Sequence, residues 1–225
     1  DRDVTVQDVF EAVGAVASGD MTTDELDELE RKACPGAGAC GGQFTANTMA
    51  TALSFMGVSP MGSNDLPAMH PDKHKVAFAA GELVMEALEN DRRLSTFVTK
   101  RSLENAAASV AATGGSTNAV LHLLALAREF DLAFDLDDFD RVASSTPVLA
   151  DLKPAGRYTA PDLFEAGGSP LVARRLWEAG LLHDERTIDG ATLSDLISEA
   201  QETAGQDVVL TVKEPLAPRG GLAIL

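Results

Sequence analysis

Apolar residues recur at helical spacing from the start of this chain. Val6, Val9, Phe10 and Val13 follow Thr5 in that rhythm, predicting an amphipathic helix that stops near Gly19. Thr22 and Glu25 form a capping box ahead of Leu26, Leu29 and Ala33, predicting a second short helix that delivers the chain into a glycine-rich loop. "FTANTMATALSFMG" reads as a third helix closed by Gly57, and Pro71 suits the first turn of a fourth running to about Asn90, with Val76, Phe78, Leu83, Val84 and Leu88 on its apolar side. Two helices broken by "TGGSTN" follow, one through Leu103, Ala107, Val110 and Ala111, the other through Val120, Leu121, Leu124 and Leu126. Both are apolar nearly all round and are expected to be buried. Further helices are predicted at 136–143, 161–166, 171–179 and 192–200. Strand patterns occur only late, in "DVVLTV" and "GLAIL".

Composition narrows the classes. The 225 residues, 45% hydrophobic and 24% charged, can bury a real core. No apolar run approaches the ~20 residues that cross a bilayer, and "DRDVTVQDVF" lacks the pattern of a signal peptide, so the expectation is a cytoplasmic protein with no membrane partner. With 35 acidic against 18 basic residues the net charge is -17, which repels phosphate backbones and argues against a nucleic-acid partner. Scarce lysine beside commoner arginine is the balance expected of a salt-adapted cytoplasm; an ordinary acidic protein is the alternative.

Both cysteines, Cys34 and Cys40, fall in "ACPGAGACGGQFTANTMA", separated by five residues. That spacing is not a zinc-knuckle pair. A cysteine in a small-residue loop just before a helix has backbone N–H groups and the positive helix end to stabilise a thiolate, a ligand suited to an iron-sulfur cluster. Two buried free thiols would fit the same loop, and both readings stay open on the residues alone. "TGGSTN", Thr113 to Asn118, offers a turn that either receives an anion at a helix N-terminus or lets two helices pack closely with Ser116 or Thr117 as a cap; the second is favoured. His70, His74 and His183 read as surface residues and His122 as a core histidine. Lys153, Arg157 and Tyr158 gather positive charge in "KPAGRYTAPDL", fit for an anionic substrate or a subunit contact. Arg174 and Arg175 share a helix with Trp177, an ordinary stacking arrangement.

The cysteine stretch resembles the cysteine motif of the dihydroxy-acid and sugar-acid dehydratases, and "ENAAASVAATGGSTNAVLHLLALARE", "LDDFDRV", "PVLADLKPAGRY", "DLFEAGGSPLV" and "PRGGLAIL" follow in that family's order. The resemblance covers almost the whole chain. It implies a lyase that removes water from a 2,3-dihydroxy acid to leave a 2-keto acid, in valine and isoleucine synthesis. It further implies an iron-sulfur cluster (2Fe-2S or 4Fe-4S) held by three cysteines, with an open iron acting as Lewis acid on the leaving hydroxyl. Matching the motif puts one ligand on Cys40; Cys34 falls on a position outside the three and is given a supporting role. Gln43 stands where relatives more often carry methionine.

The family's other cluster cysteines, its Mg2+ ligands and its serine base have no counterpart here, so the chain is expected to be an internal piece, inactive alone, with no catalytic residue of its own. The implied fold class is α/β: residues 1–205 would be a mostly helical part of an N-terminal α/β domain and 206–225 the start of a β-rich C-terminal domain. The expected substrate is a small dihydroxy acid and the expected assembly a homo-oligomer, dimer or tetramer. A sugar-acid dehydratase of the same family and a noncatalytic helical interaction module are the rivals.

Overall fold

A computed structural model describes residues 4–33, 36–38 and 40–224. Among the described residues the chain forms ten α-helices: α1 Val6–Ser18, α2 Thr23–Ala33, α3 Thr45–Phe55, α4 Lys73–Glu89, α5 Lys100–Ala112, α6 Asn118–Glu129, α7 Leu136–Ser145, α8 Ala160–Ala166, α9 Gly168–Glu178 and α10 Leu193–Ser198.

Short-range chemistry sets their ends. The Thr5 N–H and hydroxyl both donate to Asp8 Oδ2, starting α1, and Gly19 at φ 85° lets N–H groups fold back on the Ala15 and Val16 carbonyls to end it. At α2 the Glu25 carboxylate accepts from the Thr22 N–H at 2.8 Å and the Thr22 hydroxyl accepts from the Glu25 N–H at 3.3 Å, the reciprocal pair expected.

Helix α5 is the centre of the molecule. Ten of its side chains from Ser102 to Ala112 are buried, and it packs against α3, α6, α7 and α9. Its run of alanines keeps the helix thin, so neighbouring axes approach closely around Phe55, Leu123, Phe139 and Leu176. Buried Asn105 satisfies itself across this core, accepting from the His183 N–H at 2.8 Å and donating to the His183 carbonyl at 2.9 Å.

Several expectations change. The described residues are mostly helical, as expected of a helical portion of an α/β domain, but the late strand patterns differ: the pairing among the described residues is limited to isolated bridges such as Val148 with Ala217 and Ala150 with Val209. Among the described residues "DVVLTV" contributes one such bridge, through Val209, instead of a strand. A turn in which the Glu214 N–H bonds the Thr211 carbonyl, with Pro215 and Pro218 behind it, interrupts the ladder before it can extend. "GLAIL" likewise forms no strand among the described residues.

Helix α6 is buried along one side only, through Ala119, Val120, Leu123 and Ala127, while Leu121 is 66% exposed. His122 is exposed beside it and is not a core residue. Two apolar faces have no cover among the described residues. Phe10 and Val13 of α1 are exposed, and α4 buries Ala87 alone. No helix among the described residues is long and apolar enough to cross a membrane.

Candidate functional site

The glycine-rich loop and the first turns of α3 form one wall of a cleft of about 270 Å³. Cys40, Gly41, Gln43, Asn47 and Thr51 line this wall; Asn64 to Ala68, Lys73 and the start of α8 at Ala160, Pro161 and Leu163 line the other. Cys40 is half-buried here. Cys34, given a supporting role on sequence grounds, lies outside the described residues.

The backbone around Cys40 is tied down on three sides. Asn47, in the first turn of α3, donates both amide hydrogens, to the Cys40 carbonyl at 2.8 Å and the Gly42 carbonyl at 2.7 Å. The Gly41 carbonyl accepts from the Ala160 N–H at 2.7 Å, and the Gln43 N–H donates to the Lys153 carbonyl at 2.6 Å. A side chain at position 42 would bring its Cβ to 2.6 Å from the Phe44 ring and 3.3 Å from the Lys153 carbonyl, so the ring would have to shift to admit one. Loop conformation is thus imposed by α3, α8 and the 151–159 segment together.

Opposite Cys40, Asp65 Oδ2 accepts from the Ser169 N–H and the Ser169 hydroxyl, each at 2.7 Å, and so caps the start of α9 from a distant loop. Burial holds the Asp65 carboxyl above the ordinary aspartate range; the two Ser169 bonds and the Lys73 ammonium pull the other way and do not overcome it. Lys73 Nζ donates to the Leu66 carbonyl at 2.8 Å, fixing a positive charge at the cleft edge. Asn47, Asp65 and Lys73 were not singled out from the sequence. Asn47 lies in a helical stretch and Asp65 among Pro, Gly, Ser and Asn residues, and no local pattern in either stretch reports the distant partner.

The "TGGSTN" turn binds α3 from the side. The Ser116 N–H donates to Thr48 Oγ1 at 3.0 Å, Asn118 Nδ2 donates to Thr45 Oγ1 at 2.8 Å, and buried Gln43 donates to Thr113 Oγ1 at 3.1 Å. Ser116 Oγ accepts from the Asn118 N–H at 3.2 Å, while Thr117, the N-cap residue of α6, makes no side-chain capping bond. A Cβ on Gly115 would sit 2.7 Å from Thr48 Cγ2. These contacts are those of close helix packing.

Positive charge in "KPAGRYTAPDL" is spent within the chain. Arg157 pairs with buried Asp151 and lies 4.9 Å over the Tyr158 ring, while the Tyr158 hydroxyl donates to Asp207 at 2.7 Å, which raises its pKa. Arg175 binds both Glu202 oxygens, at 2.7 and 2.8 Å, and Arg174 donates to the Ala200 carbonyl at 2.6 Å; both tie α9 to the segment after α10. His70 stacks edge-on against Phe164 at 5.5 Å and accepts the Asp72 N–H, a structural use; His183 meets Glu104 at 2.7 Å.

No group of three or more His, Cys, Asp or Glu side chains fit to hold a metal ion occurs among the described residues. Cys40 lines the cleft outside any such group among the described residues.

Comparison with known proteins supplies the context. The family model described as dihydroxy-acid/6-phosphogluconate dehydratase N-terminal matches residues 1–196. Proteins named dihydroxy-acid dehydratase are similar over the whole chain: one from Koribacter versatilis is 57% identical over 99% of this chain and 39% of its own length. One from Thermus thermophilus is 53% identical, over 100% and 41%, and one from Haloarcula marismortui 48% identical, over 100% and 40%. The chain thus spans about two fifths of the length of these relatives.

Proposed function

Because the chain belongs to the dihydroxy-acid/6-phosphogluconate dehydratase family, we propose that it is part of a dihydroxy-acid dehydratase, a hydro-lyase that converts 2,3-dihydroxy acids to 2-keto acids in valine and isoleucine synthesis. The observation that carries this reading is Cys40, the cysteine of "ACGG", held at the mouth of a cleft by Asn47. Relatives named dihydroxy-acid dehydratase at about half identity favour this substrate class over sugar acids.

An iron-sulfur cluster fits here as a group to which this chain gives one thiolate. Gly38 and Gly41 and the small Ala37 surround Cys40 along the cleft, leaving room beside it, and the remaining donors would come from the rest of the longer polypeptide. Bound there, the cluster supplies a Lewis-acidic iron for the leaving hydroxyl. This chain's own residues position: Asn47 fixes the two carbonyls that set the direction of Cys40, Gly42 allows the turn, and Lys73 brings positive charge to the cleft of an otherwise acidic protein, suited to a substrate carboxylate. Mg2+ ligands and the base that removes the C2 proton would lie outside these residues. We place the parent in the cytoplasm as a homo-oligomer, with residues 1–205 in its N-terminal α/β domain and 206–225 opening a β-rich one.

The test is Cys40→Ser in the full-length protein, purified without oxygen. Loss of cluster absorbance and iron is expected; undiminished cluster content overturns the assignment. Assaying the wild-type protein with dihydroxyisovalerate and with aldonic acids separates the two substrate classes. A parent that holds no iron and turns over neither would instead be an interaction module.

A further inference from the structure

Gln43 follows the cysteine loop, and its side chain turns inward until the residue is 2% exposed. Gly41 and Gly42 carry no side chain, so Gln43 is the first residue after Cys40 whose side chain can act on the cleft that both line. Its backbone is held as well: the N–H donates to the Lys153 carbonyl at 2.6 Å and the carbonyl accepts from the Thr48 hydroxyl at 3.1 Å.

Which end of the Gln43 amide faces the cleft is decided in the core. The Thr113 hydroxyl commits its one hydrogen to the Ser109 carbonyl at 2.8 Å, so toward Gln43 it can only accept, and the group 3.1 Å away must be the amide nitrogen. The opposite rotamer would set two acceptors against each other in a buried place. Oε1 is thereby turned away from Thr113. It accepts no hydrogen bond among the described residues, where the sealed side-chain atoms without a partner are Arg174 Nε, Arg175 Nε and Asp189 Oδ2. Oε1 therefore reaches open space, and the open space beside Gln43 is the cleft. Thr113, 1% exposed, is not among the residues that line it.

A fixed dipole beside a redox centre acts as a partial charge. An amide oxygen aimed at an iron-sulfur cluster favours the form with one electron fewer and lowers its potential, whereas N–H groups aimed at its sulfurs raise it. We propose that Gln43 sets the potential of the cluster assigned to Cys40 by presenting its amide oxygen to the cleft, and that Thr113 is the positioning residue that keeps this amide from turning over. Both roles rest on Cys40 being a cluster ligand, as proposed above. The form with fewer electrons is also the stronger Lewis acid for a hydroxyl, which is what a dehydratase needs.

The test is a redox titration of the full-length protein, purified without oxygen and followed by electron paramagnetic resonance. Gln43→Met keeps the length of the side chain without the amide, and Thr113→Val removes the hydroxyl that orients it. Each is expected to raise the ratio of reduced to oxidised cluster at a fixed potential by about three- to ten-fold, the size of one hydrogen-bonding group. Thr113→Ser keeps the hydroxyl and titrates like wild type. The double variant Gln43→Met, Thr113→Val titrates like Gln43→Met alone, because Thr113 acts only through the amide. A potential unmoved or lowered by Gln43→Met overturns the proposal. So does a shift in Gln43→Met with none in Thr113→Val, or an equal shift in Thr113→Ser, which would report repacking. Where Gln43→Met loses its cluster, the contrast of Thr113→Val with Thr113→Ser decides alone. Failure of the Cys40 assignment is read separately, from iron retained in Cys40→Ser.

Discussion

Asn47 ties the cysteine loop to α3 through two carbonyls, at Cys40 and Gly42. Asn47→Ala leaves both without their donor and is expected to lower stability by about 1–3 kcal/mol, with faster hydrogen exchange at Gly41 to Gln43; an unchanged exchange pattern would mean that α8 and Lys153 hold the loop unaided. Asp65 gives a second residue-scale expectation, and its sign follows from burial. Its carboxyl titrates above the ordinary range, so the folded state binds the proton more tightly than the unfolded chain does. The stability this group contributes is full below the unfolded pKa of about 3.9 and is lost as pH rises through the raised folded value. Asp65→Asn keeps an acceptor for the Ser169 N–H and hydroxyl without ionising, and should melt higher than wild type at neutral pH, with the gain fading in acid. Asp65→Ala removes the cap of α9 altogether and should cost about 1 kcal/mol. A set of thermal melts against pH on the three proteins checks both directions.

Helix ends were readable from sequence because each is decided within four residues: Thr22 with Glu25, Gly19 behind α1, and Thr192, whose hydroxyl accepts the Asp195 N–H at the start of α10. Which helix face finds a partner was not readable. Periodicity says which side chains favour burial, and it marked Phe10, Val13, Phe78 and Leu88, all of which face outward among the described residues. The same limit applies to the site. Cys40 and its glycines stand out locally, but the facing wall comes from 64–68 and 160–163, brought there by the packing of α5 with α3 and α9 and of α8 with α9. Packing at the "TGGSTN" turn gives the element-scale prediction. Gly115→Ala drives a Cβ against Thr48, which also receives the Ser116 N–H, so α6 must shift along α3. Such overpacking should cost about 1–3 kcal/mol in chemical denaturation, whereas Gly14→Ala in α1, with open space around it, should be neutral or slightly stabilising.

Over the whole molecule, charge is the dominant long-range term. Many basic side chains are already engaged with acids, as Arg141 is with Glu104 and Asp138, and Lys100 with Asp138. An excess of acidic groups therefore remains across the surface, as the net charge of -17 records. Added salt acts on both populations. It weakens exposed pairs such as Lys32 with Glu28, each worth about 0–1 kcal/mol, and it screens the mutual repulsion of the unmatched carboxylates. Repulsion among a large excess is summed over many pairs at longer range, where screening is most effective: the Debye length falls from ~10 Å at 0.1 M to ~3 Å at 1 M salt. The midpoint of thermal unfolding should therefore rise from about 0.05 M to about 1 M KCl, and by similar amounts in KCl and NaCl because screening depends on ionic strength and not on the ion. A midpoint that falls over this range would mean that the ion pairs, not the unmatched acids, set the electrostatic balance. A rise seen with sulfate but not with chloride would instead assign the effect to exclusion of the salt from the apolar surface.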